Sequence, residues 1–164
     1  MPEVRLRPTR PEDLDYVTSL ERHPDNRDFI GQWSDAEHLA AIAGGGGREH
    51  WVIESDGERA GFLIAYDCRE HDAGFYLKRL LVGDKERGLG TAALRQFDER
   101  VLAMAGVSCV WLLVREWNSR ARRVYERLGF TRFDPAPGDE ARYDLSAEAP
   151  REGVFRMRLA PRAR

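Results

Sequence analysis

Two stretches of the chain combine residue types and spacings that can do chemistry. The first is Lys85-Glu86-Arg87-Gly88-Leu89-Gly90-Thr91. Ahead of it, Phe75, Leu77, Leu80, Leu81 and Val82 form an apolar run ending at the turn signal Gly83-Asp84, which reads as a buried strand. From Gly88 onward the apolar spacing changes. Ala93, Leu94, Phe97, Val101 and Met104 recur at the period of one helical face, and Gly106 is the expected C-cap. A helix opening on Gly88-Leu89-Gly90-Thr91 presents backbone N–H groups with no intrahelical acceptor, at the positive end of its dipole. Glycine at 88 and 90 admits a bulky pyrophosphate to the backbone, and Lys85 and Arg87 put cations at the rim. The chemistry is anion binding. The spacing is neither a P-loop nor Gly-x-Gly-x-x-Gly, and a tight strand-to-helix turn would use the same two glycines.

The second stretch runs from Asn118 to Phe130, NSRARRVYERLGF. Asn118 follows an apolar strand pattern, CVWLLV, and is a natural N-cap. Ala121, Val124, Tyr125 and Leu128 then share one helical face, with Gly129 beyond it. A phenol has an unperturbed pKa of about 10, so Tyr125 carries its proton at neutral pH. An ordinary amphipathic helix with a core tyrosine has the same pattern.

The elements that must position these stretches follow from periodicity. Residues 4–7 alternate as a half-exposed strand, and Pro11-Glu12-Asp13 starts a helix reaching about Leu20. Ser34-Asp35-Ala36-Glu37 forms a capping box for a helix through Ile42, which the glycine run 44–47 must end. Residues 50–55 and 59–67 flank the hairpin turn Asp56-Gly57, and the strand ending at Val82 is a third antiparallel strand. Residues 119–128 are the second amphipathic helix, and 130–133 and 154–159 are two final strands around a long loop. The order predicts an α/β domain spanning 1–164 with a mixed, mostly antiparallel sheet of about six to seven strands.

Composition bounds the class. The chain has 164 residues, 42% apolar and 33% charged, which fits one folded domain. A net charge of −2 argues against a nucleic-acid binder. Cys68 and Cys109 are too few for a disulfide framework or metal site and read as buried, reduced thiols. No secretory signal and no apolar run of membrane-spanning length occurs, so the expected setting is the cytoplasm, without membrane.

Together, in this order and spacing, the two motifs resemble the GNAT family of acetyl-CoA-dependent N-acetyltransferases. Its phosphate loop, Gln/Arg-x-x-Gly-x-Gly/Ala, stands here as Lys85-Glu86-Arg87-Gly88-Leu89-Gly90, with lysine keeping the first position's charge. The pattern Asn-x-x-Ala-x-x-x-Tyr-x-x-x-Gly-Phe matches at Asn118, Ala121, Tyr125, Gly129 and Phe130. The resemblance implies a fold with helices on both sheet faces and the strands ending at Val82 and Val114 splayed apart. Acetyl-CoA would lie there as cosubstrate, with no metal, in a bacterial enzyme. Backbone groups of Leu80, Leu81 and Val82 would meet the pantetheine arm and the thioester. Lys85, Arg87, Gly88, Leu89, Gly90 and Thr91 would hold the pyrophosphate, Asn118 would contact the pantetheine region, and Tyr125 would protonate the leaving thiolate.

The family often places a glutamate base at positions that here are Tyr76 and Leu113. Asp67, Glu70, His71, Asp72 and Glu116 are alternatives, and a water relay is another. Acceptor recognition is expected in 21–50 and 134–153, with Phe29, Trp33 and Trp51 as apolar candidates. Asp134, Asp139, Glu140 and Asp144 are the acidic ones. A small-molecule amine and a peptide N-terminus both remain open, as does a homodimer. A catalytically idle acyl-CoA-binding module is the alternative function, and an ATP- or NAD-binding regulator a further one.

Overall fold

Apolar alternation with short turns makes the strands, and the computed structural model describes residues 2–27, 32–85, 87–143 and 152–161. In chain order these hold β1 (Val4–Pro8), α1 (Leu14–Arg22), α2 (Asp35–Ile42), β2 (Arg48–Ser55), β3 (Glu58–Asp67) and β4 (Phe75–Val82). Then come α3 (Leu89–Leu102), β5 (Val110–Arg115), α4 (Ser119–Arg127), β6 (Thr131–Phe133) and β7 (Val154–Leu159). The element order is the one expected. Among the described residues the strands form one mixed seven-stranded sheet in the order β1-β2-β3-β4-β5-β7-β6. Two compact units divide the chain: Met1–Tyr66 with Lys78–Phe97, and Asp67–Leu77 with Asp98–Arg164.

In the first unit, β1, β2 and β3 form an antiparallel meander. Asp56 and Gly57 turn the hairpin with φ of 52° and 83°, the left-handed conformations that a two-residue turn needs. Ser34 and Glu37 close the capping box of α2 reciprocally. β4 sorts its side chains by strand alternation. Leu81 packs with Val17, Trp33, Phe62 and Ile64. Leu80 and Val82 pack with Val4, Ile53, Leu89 and Ala93, which anchors the start of α3.

In the second unit, the first residues of β4 run parallel to β5, pairing Phe75 with Val110 and Leu77 with Leu112. That ladder stops at Leu77, although β4 continues to Val82 and β5 to Arg115. β5 pairs antiparallel with β7 along its whole length. Trp111 is fully buried, stacks on Tyr76 at 4.5 Å and donates its Nε1–H to the Ala73 carbonyl at 2.8 Å. Gly74, with φ +58°, lies so near Cys109 that an added Cβ would run into that residue's carbonyl. Gly74→Ala is therefore expected to cost about 3 kcal/mol, read from urea unfolding.

Two expectations about α3 change. The helix ends at Leu102 and Met104 donates back to Val101 in a turn, so Gly106 (φ +79°) lies in the following turn, where Val107 donates to the Met104 carbonyl, and does not cap the helix. Asp98 is buried on α3, and neither carboxylate oxygen has a hydrogen-bond partner among the described residues. Burial, with Glu99 beside it, pushes its carboxyl up to about 8. The unfolded chain releases this proton near pH 4 and the folded protein holds it to about pH 8, so stability falls as pH rises between them. Asp98→Asn is expected to raise stability at pH 7 by about 2 kcal/mol and to leave it unchanged near pH 4.

Candidate active site

The first unit carries one continuous stretch of the candidate residues. Leu80, Leu81 and Val82 end β4; Leu81 is buried while Leu80 and Val82 are half-buried. The N–H of Gly83 binds the Ala60 carbonyl at 2.9 Å, and Lys85 Nζ reaches the Val82 carbonyl at 3.4 Å, so the strand's end is pinned from both sides. Arg87 is exposed, with its Nε 3.9 Å from Asp84. Glu86 lies outside the described residues.

The two glycines of this piece differ. Gly88 has φ +71°, which the turn itself demands. At Gly90 a Cβ would meet only Leu80 Cδ2 and Val82 Cγ1, both at an ordinary 3.9 Å. The fold would therefore accept alanine at 90. The Ala92 N–H binds the Gly88 carbonyl at 3.1 Å as the helix's first i→i−4 bond, so the N–H groups of Leu89, Gly90 and Thr91 precede the ladder.

The second unit carries Asn118 and Tyr125. Asn118 caps α4 as expected: its Oδ1 accepts from the Ala121 N–H at 3.3 Å, leaving the side-chain amide nitrogen for other partners. Tyr125 stands at the other end of α4, half-buried, its ring 5.8 Å from that of Phe130. Its carbonyl accepts from the Phe130 N–H at 3.0 Å around Gly129 (φ +97°), fixing the tyrosine at the helix end. Burial pushes the phenol up to about 12.

A family model described as the acetyltransferase (GNAT) family matches residues 13–130. The chain belongs to this family. Spermidine N(1)-acetyltransferase of Escherichia coli strain K12 is 23% identical over 138 residues, covering 78% of this chain and 73% of the relative. An aminoglycoside acetyltransferase solved with coenzyme A has a TM-score of 0.77 at 18% identity, covering 96% of this chain and 95% of the other. Spermidine N-acetyltransferase from Vibrio cholerae, solved with CoA and spermine, has a TM-score of 0.72 at 15% identity, covering 96% and 95%. The protein is an N-acetyltransferase whose acyl donor is acetyl-CoA. No helix among the described residues is long and apolar enough to cross a membrane.

Within this acetyltransferase some of the candidate bases are engaged elsewhere. Tyr76 is buried in its stack on Trp111, and Leu113 has no titratable group. The Arg69 guanidinium clamps Asp67 at 2.7–3.1 Å and holds its carboxyl below the usual range, which makes it a poor proton acceptor. Asp72 faces Arg142 at 3.4 Å, and Glu70, His71 and Glu116 are exposed. Of the acceptor candidates, Trp33 is 9% exposed in a core cluster and Trp51 donates to Glu49 at 3.0 Å. Asp139 pairs with Arg142, Glu140 accepts from the Gly138 N–H, and Asp134 is exposed. Phe29 and Asp144 lie outside the described residues.

Sequence reasoning missed a buried polar hub in the first unit. Glu21 of α1 is fully buried; its Oε2 accepts from Arg79 of β4 at 2.5 Å. Its Oε1 accepts from the Trp33 N–H at 3.2 Å and from His38 Nε2 at 2.9 Å. A carboxylate only accepts, so His38 carries its proton on Nε2 and, when neutral, accepts at Nδ1 from His50 Nε2 (3.1 Å). His50 Nδ1 then accepts from the Thr9 hydroxyl at 2.8 Å. Burial, with His38 next to it, holds His50 down at about 3. Below pH 6.5 the unfolded chain takes a proton that folded His50 refuses, so stability falls as pH drops from 6.5 toward 3. Unfolding free energy is expected to be lower at pH 5 than at pH 7 by about 2 kcal/mol, and His50→Gln should flatten that slope.

Proposed function

We propose that the acetyltransferase holds the pyrophosphate of acetyl-CoA on the N–H groups of Leu89, Gly90 and Thr91, with Lys85 and Arg87 completing the charge. Backbone groups of Leu80, Leu81 and Val82 receive the pantetheine arm and the thioester, and the Asn118 amide contacts the pantetheine region. A neutral primary amine attacks the thioester carbon, and the Val82 N–H stabilises the oxyanion. The C–S bond breaks as the carbonyl reforms, the thiolate takes the Tyr125 proton, and the amine nitrogen gives its extra proton to water. Tyr125 recovers its proton from solvent.

Gly90 carries this reading. The fold does not need a glycine there, so its use lies in the close approach of a ligand. The relatives' named acceptors, spermidine and an aminoglycoside, support a small-molecule amine over a peptide terminus. The bacterial relatives and the absence of a spanning helix among the described residues support a cytoplasmic bacterial enzyme. Calorimetry with acetyl-CoA tests the site. Gly90→Val should weaken binding at least tenfold, about 1.4 kcal/mol, and unchanged affinity would remove the pyrophosphate from this loop.

A further inference from the structure

Gly61 is buried within β3, opposite Ile53 of β2. It is not among the glycines with positive φ, so no dihedral calls for a glycine there. Space does. A Cβ built on Gly61 would run into the Leu81 carbonyl oxygen of β4, and would stand 3.0 Å from Val82 Cα and 3.1 Å from Val82 Cγ1. In a regular sheet a Cβ rises off the pleat, clear of the neighbouring strand's backbone. The end of β4 therefore lies partly across the face of β3. The cause is local. The β2–β3 register pairs Ile53 with Gly61 but Glu54 with Arg59, which leaves Ala60 as an extra residue on β3. Such a bulge sharpens the twist of its strand. The Gly83 N–H binds the Ala60 carbonyl at 2.9 Å, which draws the end of β4 onto the bulge.

The Leu81 carbonyl and the Val82 N–H belong to one planar trans peptide, so they point in opposite directions. A carbonyl laid against Gly61 turns that N–H away from β3, to the flank of β4 where the β5 ladder has already ended at Leu77. Resting on the reading above that this N–H stabilises the oxyanion, we propose that Gly61 is a positioning residue for the acetyl transfer. Its missing side chain lets the Leu81–Val82 peptide settle on β3, and the settled peptide aims the donor. A methyl group at 61 would press on backbone, which cannot yield by changing a rotamer, so the peptide must shift as a unit. A displacement on the order of 1 Å at an oxyanion donor costs about 10²-fold in rate. The amides of Leu89, Gly90 and Thr91 belong to α3 and keep their hold on the pyrophosphate.

Difference infrared spectra of acetyl-CoA carrying a heavy carbon at its thioester carbonyl read the donor directly. Binding to the wild-type protein should lower the carbonyl stretch, because a hydrogen bond polarises that bond. Gly61→Ala should bind acetyl-CoA within about threefold of wild type and lose most of the shift. Thiol release with spermidine as acceptor should fall about 10²-fold in kcat, while the KM for acetyl-CoA changes less than about threefold. If spermidine is not acetylated, the infrared arm decides alone. Val52→Ala, a truncation of a buried residue on β2 opposite Phe62, should lower the melting temperature at least as far and keep both kcat and the shift. Full kcat with an unchanged shift in Gly61→Ala, or equal losses in Val52→Ala, overturns this inference and leaves the oxyanion reading standing. A wild-type complex without a carbonyl shift removes the Val82 oxyanion reading, and this inference with it. Should Gly61→Ala not fold, a crystal structure of the wild-type complex with acetyl-CoA decides. The inference requires the Leu81 carbonyl against Gly61 and the thioester oxygen on the Val82 N–H, and a peptide turned off Gly61 overturns it.

Discussion

Tyr125→Phe should lower kcat by about 10²-fold or more while leaving the KM for acetyl-CoA nearly unchanged. The substitution removes one oxygen from a side chain whose ring already packs near Phe130 and whose backbone is fixed by the Gly129 turn, so the helix end survives. What is lost is the proton that the departing thiolate takes, an interaction made only as the C–S bond breaks. Such a loss appears in kcat and kcat/KM alike. Burial holds the phenol at about 12, so the wild-type rate should show no fall from tyrosine ionisation up to about pH 10. Steady-state thiol release across pH 6–10 checks both parts. A Phe variant with full kcat would mean that the thiolate leaves unprotonated or takes its proton from elsewhere.

Glu21→Leu should cost about 3–5 kcal/mol of stability, a fall in melting temperature on the order of 10 °C. Burial opposes the Glu21 charge, yet His38, Arg79 and the Trp33 N–H together hold its carboxyl below the usual range. A group of this kind contributes stability at neutral pH that is lost as pH falls through the carboxylate range. Removing it strands the Arg79 guanidinium, 4% exposed, with no counter-charge, and leaves His38 Nε2–H without its acceptor. Arg79→Met in the Glu21→Leu background should restore part of the loss, because an apolar pair replaces an uncompensated buried cation. Additive losses in that double mutant, measured by urea unfolding, would show that the two side chains do not act as a pair.

These two predictions differ in how much of their basis can be read from the chain. Tyr125 is legible because it belongs to a contiguous helix whose cap, apolar face and terminating glycine lie within thirteen residues. Gly88 and Gly90 are legible for the same reason: the first N–H groups of a helix are exposed by its geometry, whatever surrounds it. The hairpin at Asp56-Gly57 and the capping box at Ser34 and Glu37 are also local, and they stand where expected. The end of α3 was not legible, since the helical period continues to Met104 while the backbone turns after Leu102.

The amino-acid sequence alone determined the element order, the glycine loop at the start of α3 and the tyrosine near the end of α4. Each follows from hydrogen bonds and dihedral preferences between residues a few positions apart. Only the tertiary structure decided that Thr9, Glu21, His38, His50 and Arg79 form one buried chain, and that Arg48, Lys78 and Arg79 surround Trp33. Glu21 and Arg79 stand 58 residues apart, and Thr9 and His50 stand 41 apart. No periodicity links positions so distant. Their pairing arises because packing the helices on the sheet removes water from these polar groups, and each must then find its partner in another element.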